Sequence, residues 1–283
     1  RAETAALNAR IIPCLAALLH KVNEVLSERR IGAPVMVVKS DGSLMSIRTA
    51  LERPIETILS GPAASVAGAR RLADVHDAIV VDIGGTTTDT ASIRGGIVRT
   101  CKDGAVVGGW KTHVPALEMR TLGLGGDSLV ALEKGALSIG PRRVAPLAWL
   151  GAQHPESGRA LDWLEERLDL FENSTHGMEL LVLRGKHGDI DLSDRERLIV
   201  EALEDGPRSL EELATLVGSM SWRFLTLARL EEEFVVQRCG LTPTDLLHLT
   251  GELDLWNTAT AERAAKMIGR LARSGEAEFA DRV

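Results

Sequence analysis

At 283 residues, with 45% hydrophobic and 26% charged residues, the chain can hold one large or two ordinary domains and has the composition of a soluble globular protein. Aromatics make up only 3%, with no tyrosine, so the core must rest on Leu, Val, Ile and Ala, and a base-stacking nucleic-acid surface is argued against. The formal charge of -7 leaves no polyanion footprint. Three cysteines, Cys14, Cys101 and Cys239, lie far apart and outside any CxxC pattern, which fits a reduced, cytoplasmic protein. The longest apolar runs, such as Ile79-Val80-Val81, are strand-length, so no membrane span is expected. The chain opens on Arg1 with no signal-peptide pattern and reads as a piece of a longer polypeptide.

Apolar residues recur at helical spacing from Thr4 to Arg30, with Pro13 expected to kink or split that helix. Residues 34–38 read as a short buried strand, followed by the turn Lys39-Ser40-Asp41-Gly42-Ser43 at its carboxyl end. Ser60-Gly61-Pro62 reads as a helix start, with Ser60 as N-cap and small residues continuing to Ala69. Ala78 to Ile83 is a second buried strand, broken by Gly84-Gly85-Thr86-Thr87-Thr88 and resumed at Thr90 to Ile93. Arg94-Gly95-Gly96 then signals a hairpin. A second glycine cluster, Gly123-Leu124-Gly125-Gly126-Asp127-Ser128, precedes an apolar stretch from Leu129 to Lys134 read as a helix. Helices are expected from Ser193 to Glu204, from Ser209 to Val217 and from Ser221 to Glu233, then a strand over 234–237. That order is what a winged helix-turn-helix looks like.

The strongest chemical signal is Asp82-Ile83-Gly84-Gly85-Thr86-Thr87-Thr88-Asp89. Glycines remove Cβ atoms and permit close backbone approach to a phosphate. Their N–H groups, with the hydroxyls of Thr86, Thr87 and Thr88, can donate to phosphate oxygens. Asp82, at the strand end, can orient water on a Mg²⁺ ion, and Asp89 can hold the loop or add a second polar anchor.

The run Val81 to Asp89 resembles the internal phosphate motif of the hydantoinase A/5-oxoprolinase family, within the actin/sugar-kinase/Hsp70 ATPase fold. Residues 4–9, 38–43 and 58–64 match family blocks in order and spacing. The stretch from Gly123 to Ser128 resembles the glycine turn set beside the nucleotide, and Leu241-Thr242-Pro243-Thr244-Asp245 a later block with a Thr-Asp pair. The resemblance implies an ATP-dependent hydrolase acting on a cyclic amide or imide, or a related carboxylase, that phosphorylates a carbonyl oxygen. It implies ATP and Mg²⁺ as cofactors, Gly123, Gly125, Gly126, Asp127 and Ser128 on the nucleoside side, and Asp82 and Asp89 in catalysis. Ser40, Asp41, Gly42, Ser60 and Gly61 become candidate substrate contacts. A second hydrolase subunit and self-association are both compatible with it. Three departures stand out. Asp127 occupies a position where the family usually has glycine; no Asp-x-Gly-x-Thr loop precedes Asp82, so half of the cleft is expected to lie elsewhere; and residues 141–240 leave the family pattern.

The expected architecture is therefore α/β: an actin-like ATPase (ribonuclease H-like) lobe over 1–150, an irregular connection over 151–190, a winged-helix-like α+β insertion over 191–240, and a helical return to the lobe over 241–283. No two histidines stand at helical i, i+4 spacing and no Gly-x-Ser-x-Gly elbow is present, which argues against zincin and serine-hydrolase chemistry. DNA binding by the insertion, the rival reading, is opposed by charge. Residues 191–239 hold six Arg and Lys against eleven Asp and Glu, which would repel phosphates. A regulator or scaffold without turnover is the remaining alternative.

Overall fold

The computed structural model describes residues 2–107, 109–185 and 190–273, and the fold is mixed α/β. Residues 186–189 of the expected connection and 274–283 of the expected C-terminal return lie outside the described residues. The chain divides into two compact units, Arg1–Ile83 with Thr88–Leu122, and Gly84–Thr87 with Gly123–Val283.

In the first unit, α1 (Ala2–Glu28) runs unbroken through Pro13. Proline removes one backbone bond, and the remaining turns carry the helix past it. Among the described residues it is the one helix long and apolar enough to cross a membrane by length and composition, which corrects the expectation that no segment reaches that measure. It buries Leu19 in a small core with Met45 and Ala50. The hairpin β1 (Met36–Val38) and β2 (Leu44–Ser46) leads into α2 (Ile47–Glu52), capped by Ser46. Helix α3 (Ser60–Ala73) corrects a second expectation. Its N-cap is Leu59 in the left-handed region at φ 66°, with no side-chain cap bond, so Ser60 is already helical.

Strands β3 (Ala78–Ile83) and β4 (Thr88–Arg94) form an antiparallel hairpin, with β5 (Ile97–Val98) also paired to β4. Two short ladders follow, β6 (Thr100–Cys101) with β9 (Ala116–Leu117) and β7 (Val106–Val107) with β8 (Trp110–Lys111). Strand β10 (Met119–Leu122) completes the sheet order β10-β4-β3. Period-two alternation puts Ala78, Val80, Ala91 and Ile93 against Ala63 and Val66 of α3, and leaves Ile79, Val81 and Ile83 exposed.

In the second unit, residues 129–134 are not a helix. They belong to β11 (Ser128–Glu133), hairpinned to β12 (Ala136–Arg143). A short apolar run buried on both faces has no period to read, and Ser128 to Leu132 are all buried. The overlooked signal is Lys134-Gly135, both at positive φ (53° and 78°), as a two-residue hairpin turn requires. Next come β13 (Ala145–Pro146), α4 (Leu147–Gln153), α5 (Gly158–Glu165) and β14 (Leu180–Leu183). Helices α6 (Asp194–Leu203) and α7 (Leu210–Leu216) are capped by Ser193 and Ser209, with β15 (Arg208–Ser209) between them. The single helix expected from Ser221 is instead a 3-10 turn at Trp222–Phe224 followed by α8 (Ala228–Glu232). Strand β16 (Val236–Gly240) starts two residues later than expected, because Phe234 turns the chain at φ 56°. Helices α9 (Pro243–Leu249) and α10 (Ala259–Leu271) end the described chain.

The sheet order is β13-β16-β14-β15, with β13 parallel to β16 and the other pairs antiparallel. One of its cores gathers Leu150, Leu161, Leu164, Leu180 and Ile268, and another packs α6, α7 and α8 around Leu181, Ile199, Leu213 and Leu230. At the sheet, the buried Glu179 receives Arg142 and Arg238, each at 3.3 Å, and His176 at 3.1 Å. Burial pushes the Glu179 carboxyl up, but the hydrogen bond from His176 and the charges of Arg238 and Arg142 outweigh it and hold the carboxyl below its ordinary range. A lowered folded-state pKa contributes stability above the ordinary value of 4.5, lost as pH falls through the folded value. Urea midpoints measured on acidification below pH 4.5 should therefore fall in the wild type, and Glu179→Gln should remove that part of the slope.

Candidate functional site

The β3–β4 register sets Asp82 directly opposite Asp89, at the end of the inward stripe formed by Val80 and Ala91. Like charges directly opposite each other across two strands repel. Asp89 is buried and accepts a hydrogen bond from the Thr121 hydroxyl on β10. Thr121 was not foreseen from the sequence; only the β10–β4 register, which puts it opposite Asp89, reveals it. Among the described residues no group of three or more His, Cys, Asp or Glu is arranged to hold a metal ion. Two facing carboxylates still fit Mg²⁺, which keeps most of its waters and takes one or two carboxylates beside substrate phosphates.

The tip of this hairpin, Gly84 to Thr87, clusters with the second unit. Gly84 N–H donates to the Thr87 carbonyl at 2.9 Å, closing the turn. Thr86 is exposed and Thr87 half-buried. The glycine turn 123–128 is hydrogen-bonded directly onto it. Gly126 N–H donates to the Gly84 carbonyl at 2.9 Å and Asp127 N–H to the Gly85 carbonyl at 2.8 Å. Thr244, at the start of α9, pins the same turn through its N–H (3.0 Å) and hydroxyl (2.8 Å), both donated to the Gly126 carbonyl. The Ser128 hydroxyl is buried and accepts the Gly125 N–H at 2.9 Å, so it shapes the turn. Among the described residues no protein acceptor takes the N–H of Gly85 or Thr86. Such groups can serve an anion.

Asp127 lies over Gly85, its Oδ2 only 2.5 Å from where a Cβ on Gly85 would stand. Arg143, at the end of β12, holds that oxygen through Nε at 3.1 Å and Nη2 at 2.9 Å. The carboxylate that departs from the family pattern is thus charge-neutralised where it meets the turn. Sequence reading missed Arg143, because its partnership depends on the β11–β12 hairpin bringing its strand back beside Ser128.

Ser40, Asp41 and Gly42 sit together with the start of α3, which carries Ser60 and Gly61. The Ser40 hydroxyl is buried and donates to the Glu56 carbonyl at 2.8 Å and to the Ile58 carbonyl. Asp41 accepts from Ser43 N–H at 2.9 Å and from its hydroxyl at 2.6 Å, an Asx turn beside Lys39. A Cβ on Gly42 would touch Ala67 and the Ala63 carbonyl, so the turn packs on α3.

A family model described as hydantoinase/oxoprolinase matches residues 1–147. The caprolactamase subunit alpha of Pseudomonas jessenii is 30% identical over 146 residues, covering 50% of this chain and 21% of that protein. An uncharacterized protein of Methanocaldococcus jannaschii is 26% identical over 156 residues, 50% of this chain and 23% of its own length. The chain thus spans about a fifth of the length of the curated relatives it matches. The nucleotide-free structure of acetone carboxylase, from work on the mechanism of ATP-dependent acetone carboxylation, shares the fold with a TM-score of 0.51 at 17% identity, covering 93% of this chain and 27% of that one. The crystal structure of the ATP-dependent caprolactamase from Pseudomonas jessenii gives a TM-score of 0.41 at 21% identity, covering 95% and 33%.

Proposed function

This chain belongs to the hydantoinase/oxoprolinase family, and on that basis we propose that it is the phosphate-binding part of an actin-like ATPase lobe in an ATP-dependent hydrolase of cyclic amides. The observation that carries the reading is the pair of glycine turns locked backbone to backbone, with the N–H groups of Gly85 and Thr86 taken by no acceptor among the described residues. The relative named caprolactamase subunit alpha supports a lactam, which is a cyclic amide, as substrate class, and a second subunit as partner. The three cysteines are free, in keeping with a cytoplasmic setting. The winged-helix-like module over 191–240 is assigned to packing or partner contact.

In this reading Gly84, Gly85 and Thr86 to Thr88 would bind the phosphates, Asp82 with Asp89 would hold a Mg²⁺ ion that supplies charge neutralisation, and Gly123 to Ser128 would face the nucleoside. Ser40 to Gly42, with Ser60 and Gly61, belong to the substrate side. The amide oxygen attacks the γ-phosphorus and ADP leaves. Water then adds to the phosphorylated carbon, the ring C–N bond breaks to give an amine and an acyl phosphate, and a second water releases phosphate and the carboxylic acid. Fixed N–H donors supply positioning and charge stabilisation, the larger part of catalysis in phosphoryl transfer.

Calorimetric titration of Mg·ATP into the full-length natural protein should show binding that Asp82→Ala abolishes, and lactam ring opening should consume ATP in equal amount. Absence of binding in the wild type would overturn the reading. Arg143→Ala alone should weaken Mg·ATP by about tenfold or more by leaving Asp127 uncompensated beside the phosphates, and Asp127→Gly in the same chain should restore it.

A further inference from the structure

The second unit holds an open cavity of about 370 Å³, of whose lining the nucleotide reading uses only Arg143. Arg142, Arg143 and Arg238 line it, with Glu231, Phe234 and Val236. Three guanidiniums meeting at one hollow are notable in a chain of net charge -7. Each is anchored by one edge. Arg142 Nη1 reaches both oxygens of Glu179 at 3.3 Å; Arg238 reaches Glu231 through Nε at 2.6 Å and Glu179 through Nη1 at 3.3 Å; Arg143 holds Asp127 through Nε and Nη2. That leaves Nη2 of Arg142, Nη1 of Arg143 and Nη2 of Arg238 with no protein acceptor among the described residues.

The acid beneath them is set to hold them in place. Glu179 is 1% exposed and receives Arg142, Arg238 and His176, so it fixes two of the guanidiniums from behind. A fourth, Arg184, lies 5.8 Å from the Phe234 ring centre and donates to Gln237 at 3.3 Å. Among the lining side chains, three arginines thus stand against one carboxylate, that of Glu231. The apolar wall is also unusual. Phe234 is 68% exposed and sits at φ 56°, a left-handed conformation that a bulky L-residue rarely adopts. Strain of this kind persists where the surroundings impose it, and clusters at ligand sites.

We propose that this cavity binds a small organic oxyanion, a carboxylate or a phosphate monoester, with the anionic head on the free edges of Arg142, Arg143 and Arg238 and its apolar stem against Phe234 and Val236. Planar guanidinium forks match either anion by paired hydrogen bonds. The cavity shares Arg143 with the Asp127 contact at Gly85, whereas Arg142 and Arg238 are anchored on Glu179 instead, and a variant at Arg142 therefore separates this proposal from ATP binding.

The test is arginine side-chain NMR on this chain, titrated separately with inorganic phosphate and with butyrate. Saturable shifts at Arg142 and Arg238 are expected, with affinity about tenfold or more weaker in Arg142→Gln and unchanged in Gly68→Ala, where an added Cβ meets nothing within 4 Å. Circular dichroism checks that each variant folds, and Phe234→Ala gives a second reading by weakening butyrate more than phosphate. Response to phosphate alone assigns a phosphorylated ligand, and response to butyrate alone a carboxylate. No saturable shift with either anion, or equal binding by Arg142→Gln, would overturn the proposal.

Discussion

Gly125→Ala is expected to abolish Mg·ATP binding by the full-length protein and to lower the stability of this chain. A Cβ at position 125 would stand 2.5 Å from the Gly84 carbonyl oxygen and 2.7 Å from the carbonyl carbon and oxygen of Gly85. All three atoms are backbone, so no rotamer change relieves the clash, and the two turns must move apart. That motion breaks the bonds from Gly126 to Gly84 and from Asp127 to Gly85, and with them the donor array proposed to bind phosphate. Overpacking of this kind costs about 1–3 kcal/mol, readable as a lower urea midpoint. The control is Gly68→Ala within α3, where an added Cβ meets nothing within 4 Å and helix propensity favours alanine. If Gly125→Ala bound Mg·ATP as tightly as the wild type, the paired turns would not be the phosphate site.

Asp245→Ala should be strongly destabilising to the second unit. The carboxylate is fully buried and accepts four hydrogen bonds, from Leu147 N–H (3.1 Å), Ala148 N–H (2.7 Å), Thr242 N–H (2.9 Å) and the Thr242 hydroxyl (2.8 Å). It closes a capping box at α9 and at the same time caps α4, a helix 98 residues earlier in the chain. Three buried N–H groups left unpaired, at roughly 1–3 kcal/mol each, make a loss of about 3–5 kcal/mol the expected result of chemical denaturation. That is a large share of a typical domain's stability, about 5–15 kcal/mol.

The same residue has a pH signature. Burial pushes its carboxyl up to about 6 from 3.8, against the pull of the hydrogen bonds from Ala148, Thr242 and Leu147. A raised folded-state pKa contributes stability that is fully present below 3.8 and is lost as pH rises through about 6. Asp245→Asn keeps an acceptor oxygen but cannot ionise. The stability of the wild type relative to that variant should therefore decline across this window, and a flat difference would refute the assignment.

The β3–β4 hairpin was legible from residues 78–94 because its determinants are local. Alternating apolar residues specify two strands with one inward face, and Gly84-Gly85 followed by threonines specifies the turn between them. The caps at Ser193 and Ser209 were legible for the same reason, since a cap needs only its own first turn. Local chemistry at residues 129–134 was ambiguous, and there the tertiary structure decided. A six-residue apolar run becomes a strand when it is buried on both faces beside β12, and nothing within the run reports that burial. Ser60 shows the converse, a good capping residue displaced into the helix when the left-handed Leu59 starts α3 one residue earlier. The resemblance to the family implies that the two glycine turns share one ligand. Only the fold shows that they bond to each other across about 40 residues, that Thr244 pins them, and that Arg143 neutralises Asp127. Each of these is a contact between distant segments, fixed by sheet register and packing, and neither composition nor periodicity carries register.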